Sequence, residues 1–162
     1  MAIRTILTQD DDALKLKSRT VDKFDQKLWD LLDDMSETLT QANGLGLAAP
    51  QIGILRRVVL VMDNEGEYLE LINPEIISTE GEEEGLEGCL SVPGAWGYVK
   101  RPTIVTVKAQ DRNGEEFEIL GDGMMARCFC HELDHLEGVL YTAYCDDLYT
   151  QEQIDEMEEG DQ

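Results

Sequence analysis

The chain contains two histidines, and they stand four residues apart in His131-Glu132-Leu133-Asp134-His135. On a helix, positions i and i+4 lie one above the other, so both imidazoles reach a single point. That arrangement can close two bonds to one divalent metal, with Glu132 beside the first ligand to take the proton of a bound water. Two solvent-facing histidines on a surface helix would use the same letters. The interposed glutamate gives the metal reading a chemical purpose.

A catalytic tetrahedral centre needs a third protein ligand and one open position. Here the third must be a cysteine or a carboxylate. A thermolysin-like site would take a glutamate after the helix, and Glu152, Glu156, Glu158 and Glu159 are available, all in a tail that reads as weakly anchored. The extended pattern His-Glu-x-x-His-x-x-Gly-x-x-His is followed as far as Gly138, but Tyr141 stands where its third histidine belongs. Cys128 and Cys130 share the helix. Cys128, one turn before His131, fits the same metal awkwardly and reads as a core cysteine. Cys145 carries no motif. Cys89 lies between Gly88 and Leu90-Ser91 in a stretch that reads as loop, since hydrophobic alternation does not explain it, and the glycine permits a tight turn there.

The elements that must position these groups follow from periodicity. After an extended arm with Asp10-Asp11-Asp12 as a solvated cluster or helix cap, Phe24, Leu28, Leu31, Leu32, Met35 and Leu39 form one apolar helical face. That helix starts between Asp22 and Asp25 and stops before Asn43-Gly44. Gly44 to Gln51 is a close-approach loop of small residues. Strands are expected at Arg57–Met62, Tyr68–Asn73 continuing through Glu75–Thr79, Tyr98–Lys100, Thr103–Val107 and Glu115–Leu120, with Asn113-Gly114 as a hairpin turn. Glu80–Glu84 reads as acidic loop, the surroundings of Pro93-Gly94 as loop, and Val139–Tyr141 as a short strand. Asp122-Gly123 opens the histidine helix, which is apolar nearly all round and therefore buried. Gly138 ends it. Hairpins rather than alternating strands and helices argue an α+β fold, with antiparallel sheets packed around a central metal-binding helix and an amphipathic helix near the N-terminus.

The length, 162 residues, fits one domain spanning 1–162, with an acidic tail from about 146. Thirteen Lys and Arg against 35 Asp and Glu give a formal net charge of -22. Such a surface repels nucleic acid and anionic membranes, so neither is expected as a direct partner. No signal-peptide core or membrane span is visible, which makes the cytoplasm the expected location. Four cysteines there are expected to be free, buried or metal-bound rather than paired.

Three blocks resemble peptide deformylases: Gly44-Leu45-Gly46-Leu47-Ala48-Ala49-Pro50-Gln51, Glu87-Gly88-Cys89-Leu90-Ser91 and His131-Glu132-Leu133-Asp134-His135. Their order and separation agree as well, and the similarity runs from the first helix to Tyr141, in the manner of the compact bacterial type. The resemblance implies that Cys89, His131 and His135 bind one divalent metal, with a water or hydroxide in the fourth position. A thiolate with two imidazoles suits Fe(II), the metal the resemblance favours, or Zn(II), Ni(II) or Co(II). It also implies hydrolysis of the formyl amide of N-formylmethionyl nascent peptides, with formate released. Glu132 would be general base and then acid. The Leu90 N–H and the Gln51 side-chain amide would steady the oxyanion. The peptide would run along Gly44, Leu45 and Gly46, while Leu45, Met124 and Cys128 would line the methionine pocket, though each of these three also reads as core packing. Asp134 would pair with Arg101 or remain solvated.

Two departures stand out. Cys130 replaces the glutamine that many relatives carry before the first histidine, at a position bearing no ligand. The acidic tail, from Asp146, lacks the charge of the basic C-terminal helix by which some deformylases dock on ribosomal RNA, so any ribosome contact would use another surface. Two rival readings remain. A protease cutting internal peptide bonds would act on unformylated peptides and depend on a tail glutamate. A non-catalytic metal-binding protein would leave Glu132 incidental.

Overall fold

The computed structural model describes residues 2–160. Helix α1, Gln26–Ala42, starts where Asp25 accepts a hydrogen bond from the Leu28 N–H and ends at Asn43 in a left-handed conformation. Both ends match signals in the sequence, an acidic N-cap and an Asn-Gly stop. Phe24 precedes the helix and packs on the core from outside it. Leu28, Leu32, Met35 and Leu39 are fully buried along one face, each such side chain contributing about 2 kcal/mol.

The strands are β1 (Gly46–Ala48), β2 (Val58–Met62), β3 (Tyr68–Glu80), β4 (Glu83–Cys89), β5 (Val92–Arg101), β6 (Ile104–Gln110) and β7 (Glu116–Asp122). They make an antiparallel five-stranded sheet, β1-β2-β3-β6-β7, and a separate antiparallel pair, β4-β5. The fold is thus α+β. Alternation along β2 gives the main sheet two buried faces. Val58 and Leu60 join the core beneath α1, while Val59 and Val61 join the core beneath helix α2, Gly123–Leu136. A third helix, α3, spans Gln151–Gly160. No helix of the described residues is long and apolar enough to cross a membrane.

Several local expectations give way. Residues 83 and 84, read as acidic loop, begin β4 because they pair with Arg101 and Lys100, so only Gly81-Glu82 turns the chain. Pro93-Gly94 also falls within β5, in the irregular stretch between the Cys89–Val92 and Glu87–Gly97 pairs, where Gly94 takes a φ of +76°. The segment at Val139–Tyr141 forms no strand; a 3-10 turn, Tyr141–Tyr144, follows instead, with the Tyr141 hydroxyl donating to Ala95 O. The extended arm contains a 3-10 turn, Asp12–Lys15, capped by Asp11. The tail is anchored better than its charge suggests. Tyr149 and Trp96 exchange backbone hydrogen bonds at 2.7 and 2.8 Å, and Ile154 is buried on α3. Gln162 and Asp161 of that tail lie outside the described residues.

Gly138 closes α2 with φ of +78°, and a Cβ there would stand 2.5 Å from Lys15 O. No other residue fits both the conformation and the space. The arm is stitched to the same point, Ser18 N donating to Leu136 O.

Candidate metal centre

Helix α2 presents His131 and His135 on one face, and their rings meet edge to face with centroids 5.1 Å apart. The hairpin β4-β5 delivers Cys89. Its turn is only Leu90-Ser91, with Cys89 paired to Val92, so the thiol sits at the end of a strand facing the helix and not in the loop expected for it. Ligand atoms of Cys89, His131 and His135 all lie within 4.8 Å of one another, and Cys89 Sγ is 3.4 Å from His135 Nε2. Tetrahedral bonds of roughly 2.0–2.3 Å imply ligand separations of about 3.3–3.8 Å. The geometry fits a single ion. No tail carboxylate and no second cysteine joins this group among the described residues.

Each ring is prepared differently. His131 Nδ1 lies 2.8 Å from Glu87 Oε1, and with that carboxylate ionised the ring donates there and keeps Nε2 as its lone pair. Burial opposes a charge on His131, yet the Cys89 sulfur and the Glu87 and Glu132 carboxylates raise its pKa well above the usual value. A field that favours an imidazolium also favours a divalent cation. Burial, then the charges of His131 and Arg101, push His135 down to about 3, so that ring is neutral and able to ligate. Its buried Nδ1 has no hydrogen-bond partner among the described residues.

Glu87 anchors a network that the sequence did not reveal. Arg101 grips it with Nε at 2.8 Å and Nη2 at 3.0 Å, and Arg127 Nη1 adds a contact at 2.9 Å. Although burial works against the anion, hydrogen bonds from His131 and Arg101 hold the carboxyl down to about 2. Arg101 also donates to Asp134 Oδ2 at 2.8 Å, and Arg127 reaches Val99 O and Glu83 O, tying α2 to the hairpin. The usable signal was Arg127 itself, a cation within an otherwise apolar helix that had to find a buried carboxylate. Tyr141, which ranked only as a failed histidine, stacks on His131 with ring centroids 5.8 Å apart.

Glu132 is the opposite case. Its Oε1 is buried without a partner, and burial raises its pKa to about 7. Gly46 of β1 lies against it so closely that a Cβ there would stand 2.5 Å from Oε2. Gln51 follows β1 in a 3-10 turn, Ala49–Ile52. Its Oε1 accepts from Ala48 N, while Nε2 lies 3.1 Å from Ser91 Oγ and 3.7 Å from Cys89 Sγ. Leu90 directly follows Cys89 in the hairpin turn.

A cleft of about 500 Å³ opens onto these groups, bordered by Gly44, Leu45, Gly46, Met124 and Cys128 among others. The expectation that Met124 is buried fails: it is 57% exposed, and Leu45 is 47% exposed. Cys128 is half-buried against the α2-side core, and burial followed by the Glu132 and Glu87 charges pushes its thiol up to about 12. All four cysteines are free. Trp96, unremarked in the sequence, walls the cleft beside Gly88, where a Cβ would meet its ring at 2.6 Å.

Comparison with known proteins gives a consistent answer. The family model for polypeptide deformylase matches residues 3–151. A peptide deformylase of Caldicellulosiruptor bescii is 51% identical over 156 residues, covering 96% of this chain and 93% of its own. One from Alkaliphilus metalliredigens is 54% identical over 142 residues, covering 88% and 96%. Among solved structures, a peptide deformylase from Legionella pneumophila superposes with a TM-score of 0.85 at 41% identity, covering 97% of this chain and 96% of that one. Another, from Synechococcus elongatus in complex with actinonin, gives a TM-score of 0.84 at 38% identity, covering 93% and 81%.

Proposed function

The chain belongs to the polypeptide deformylase family, and from that premise we propose the residue roles by which it works. Its activity is that of the family: metal-dependent hydrolysis of the formyl amide at the N-terminal formyl-methionine of nascent polypeptides, releasing formate. One catalytic domain, residues 1–162, carries it.

Cys89, His131 and His135 hold one divalent metal, and the observation that carries this reading is the convergence of their ligand atoms within 4.8 Å. One soft thiolate with two imidazoles selects a transition metal, Fe(II) foremost, with Zn(II), Ni(II) and Co(II) able to substitute. A metal held there would supply Lewis acidity and a water of near-neutral pKa. Glu87 orients His131 through Nδ1, and Arg101 with Arg127 keeps that carboxylate ionised.

Glu132 takes the water's proton as the water oxygen bonds to the formyl carbon, and passes that proton to the amide nitrogen as the C–N bond breaks, leaving a free amine and formate. A carboxylate raised to about 7 is suited to both directions of transfer near neutral pH. Gln51, held by Ala48 N through its oxygen, turns its NH₂ toward the Cys89 side of the cleft. That amide and the Leu90 N–H donate to the oxygen of the tetrahedral species, a role worth roughly 3 kcal/mol per donor. The peptide lies along Gly44, Leu45 and Gly46. Leu45 and Met124, exposed apolar side chains at the cleft, close with Cys128 on the methionine side chain. The setting is the cytoplasm, and any ribosome contact avoids the acidic α3.

Metal titration tests the ligand set. Co(II)-loaded parent should show one ion per chain and a thiolate charge-transfer band, with formate released from a formyl-Met tripeptide. Cys89→Ser should lose the band and His135→Ala the ion. A band that survives Cys89→Ser would refute the ligand assignment.

A further inference from the structure

A second depression lies apart from the catalytic cleft. A groove of about 710 Å³ between the N-terminal arm and the segment after the Ala49–Ile52 turn is lined by Arg19, Lys23, Lys27 and Arg56, with Asp22 and Asp25. It shares no lining residue with the catalytic cleft. Of the thirteen Lys and Arg, eight make ion pairs among the described residues. The remaining five are these four and Lys100. In a chain with 35 carboxylates, four cations left without an ion pair in one groove run against composition. Asp25 is already engaged, accepting from Leu28 N as the cap of α1.

Backbone pairing holds the two arginines side by side. Arg19 and Arg56 form a parallel bridge, with Arg19 N donating to Leu55 O and Arg57 N to Arg19 O, each at 2.9 Å. Both line the groove. Like charges set opposite each other on paired backbones repel, and an anion between them would relieve the repulsion.

We propose that this groove is a binding site for a compact phosphate-bearing anion, gripped by Arg19 and Arg56 and neutralised further by Lys23 and Lys27. Guanidinium forks match phosphate oxygens, and the volume suits a small ligand. No aromatic residue lines the groove, so it lacks the aromatic platform on which nucleobases commonly stack, and its cations favour the phosphate. An extended polyanion would have to cross the acidic surface of a chain with net charge -22, which leaves a compact ligand as the better partner.

Calorimetric titration of the full metal-loaded chain with inorganic pyrophosphate tests this. The parent should bind one equivalent saturably. Arg19→Gln and Arg56→Gln should each weaken binding at least tenfold, and the double variant should not bind. Both variants should release formate at the parent rate without pyrophosphate and unfold no earlier than the parent, since each loses a repelling charge. Absence of saturable binding, binding that persists in the double variant, or an Arg19- and Arg56-dependent preference for an oligoribonucleotide over pyrophosphate would overturn the proposal.

Discussion

Glu87 and Glu132 are both buried beside the histidine pair, and the protein treats them in opposite ways. Glu87 receives hydrogen bonds from His131, Arg101 and Arg127, and its pKa falls to about 2. Glu132 has an unpartnered buried oxygen, and its pKa rises to about 7. A carboxylate saturated with donors has no use for a proton and serves as a fixed anchor. One left short of donors exchanges protons readily. Under the proposed roles, the hairpin side of the centre holds and the cleft side reacts.

Removing the anchor should have the largest effect. Glu87→Ala leaves Arg127 buried without an ion-pair partner and Arg101 with Asp134 alone, which should cost about 3–5 kcal/mol in chemical denaturation. Metal affinity should fall roughly 10–100-fold with the loss of the His131 partner. The wild-type contribution has a pH signature. Because the folded pKa lies below the ordinary value of 4.5, the stabilisation is complete above pH 4.5 and lost as pH falls toward 2. Denaturation midpoints of parent and Glu87→Gln should therefore converge in acid.

On the reactive side, Gln51→Ala should lower kcat about 10²–10³-fold with metal content unchanged, measured by formate release. Gly46→Ala probes the packing instead. Its Cβ would collide with Glu132 Oε2, so kcat should fall, about tenfold on the scale expected when a catalytic group is displaced by less than an ångström, while the ion stays bound.

The remaining effect concerns stability and carries the reverse sign to that at Glu87. A folded pKa raised to about 7 means that ionised Glu132 destabilises the metal-free fold above pH 7 and costs nothing below pH 4.5. Glu132→Gln should thus stabilise the metal-free protein by on the order of 1–3 kcal/mol at pH 8, with the gain vanishing in acid. Equal gains at both pH values would erase the contrast between the two glutamates.

The sequence displayed the reactive side better than the anchoring one. His131, Glu132 and His135 share a helix and announce themselves by spacing, and α1 by its apolar period and Asp25 cap. Glu87, Arg101 and Arg127 come from two strands and a helix, and only folding brings them together. The strand at Glu83-Glu84 was hidden because its side chains are exposed while its backbone pairs with Arg101 and Lys100. Alternation reports burial, and an exposed strand has little to report. The groove at Arg19 and Arg56 was masked by net charge, its cations being distant in sequence and few beside the carboxylates.

Formate release from a formyl-Met tripeptide by anaerobically Fe(II)-loaded parent and Glu132→Gln, followed across pH, addresses the central claim most directly. The account predicts rapid release by the parent, falling on an acidic limb as Glu132 becomes protonated. The variant should be slower by about 10²–10⁴-fold, with the limb gone and the metal retained. A variant that keeps the metal and the parent rate would show that Glu132 does not move the proton.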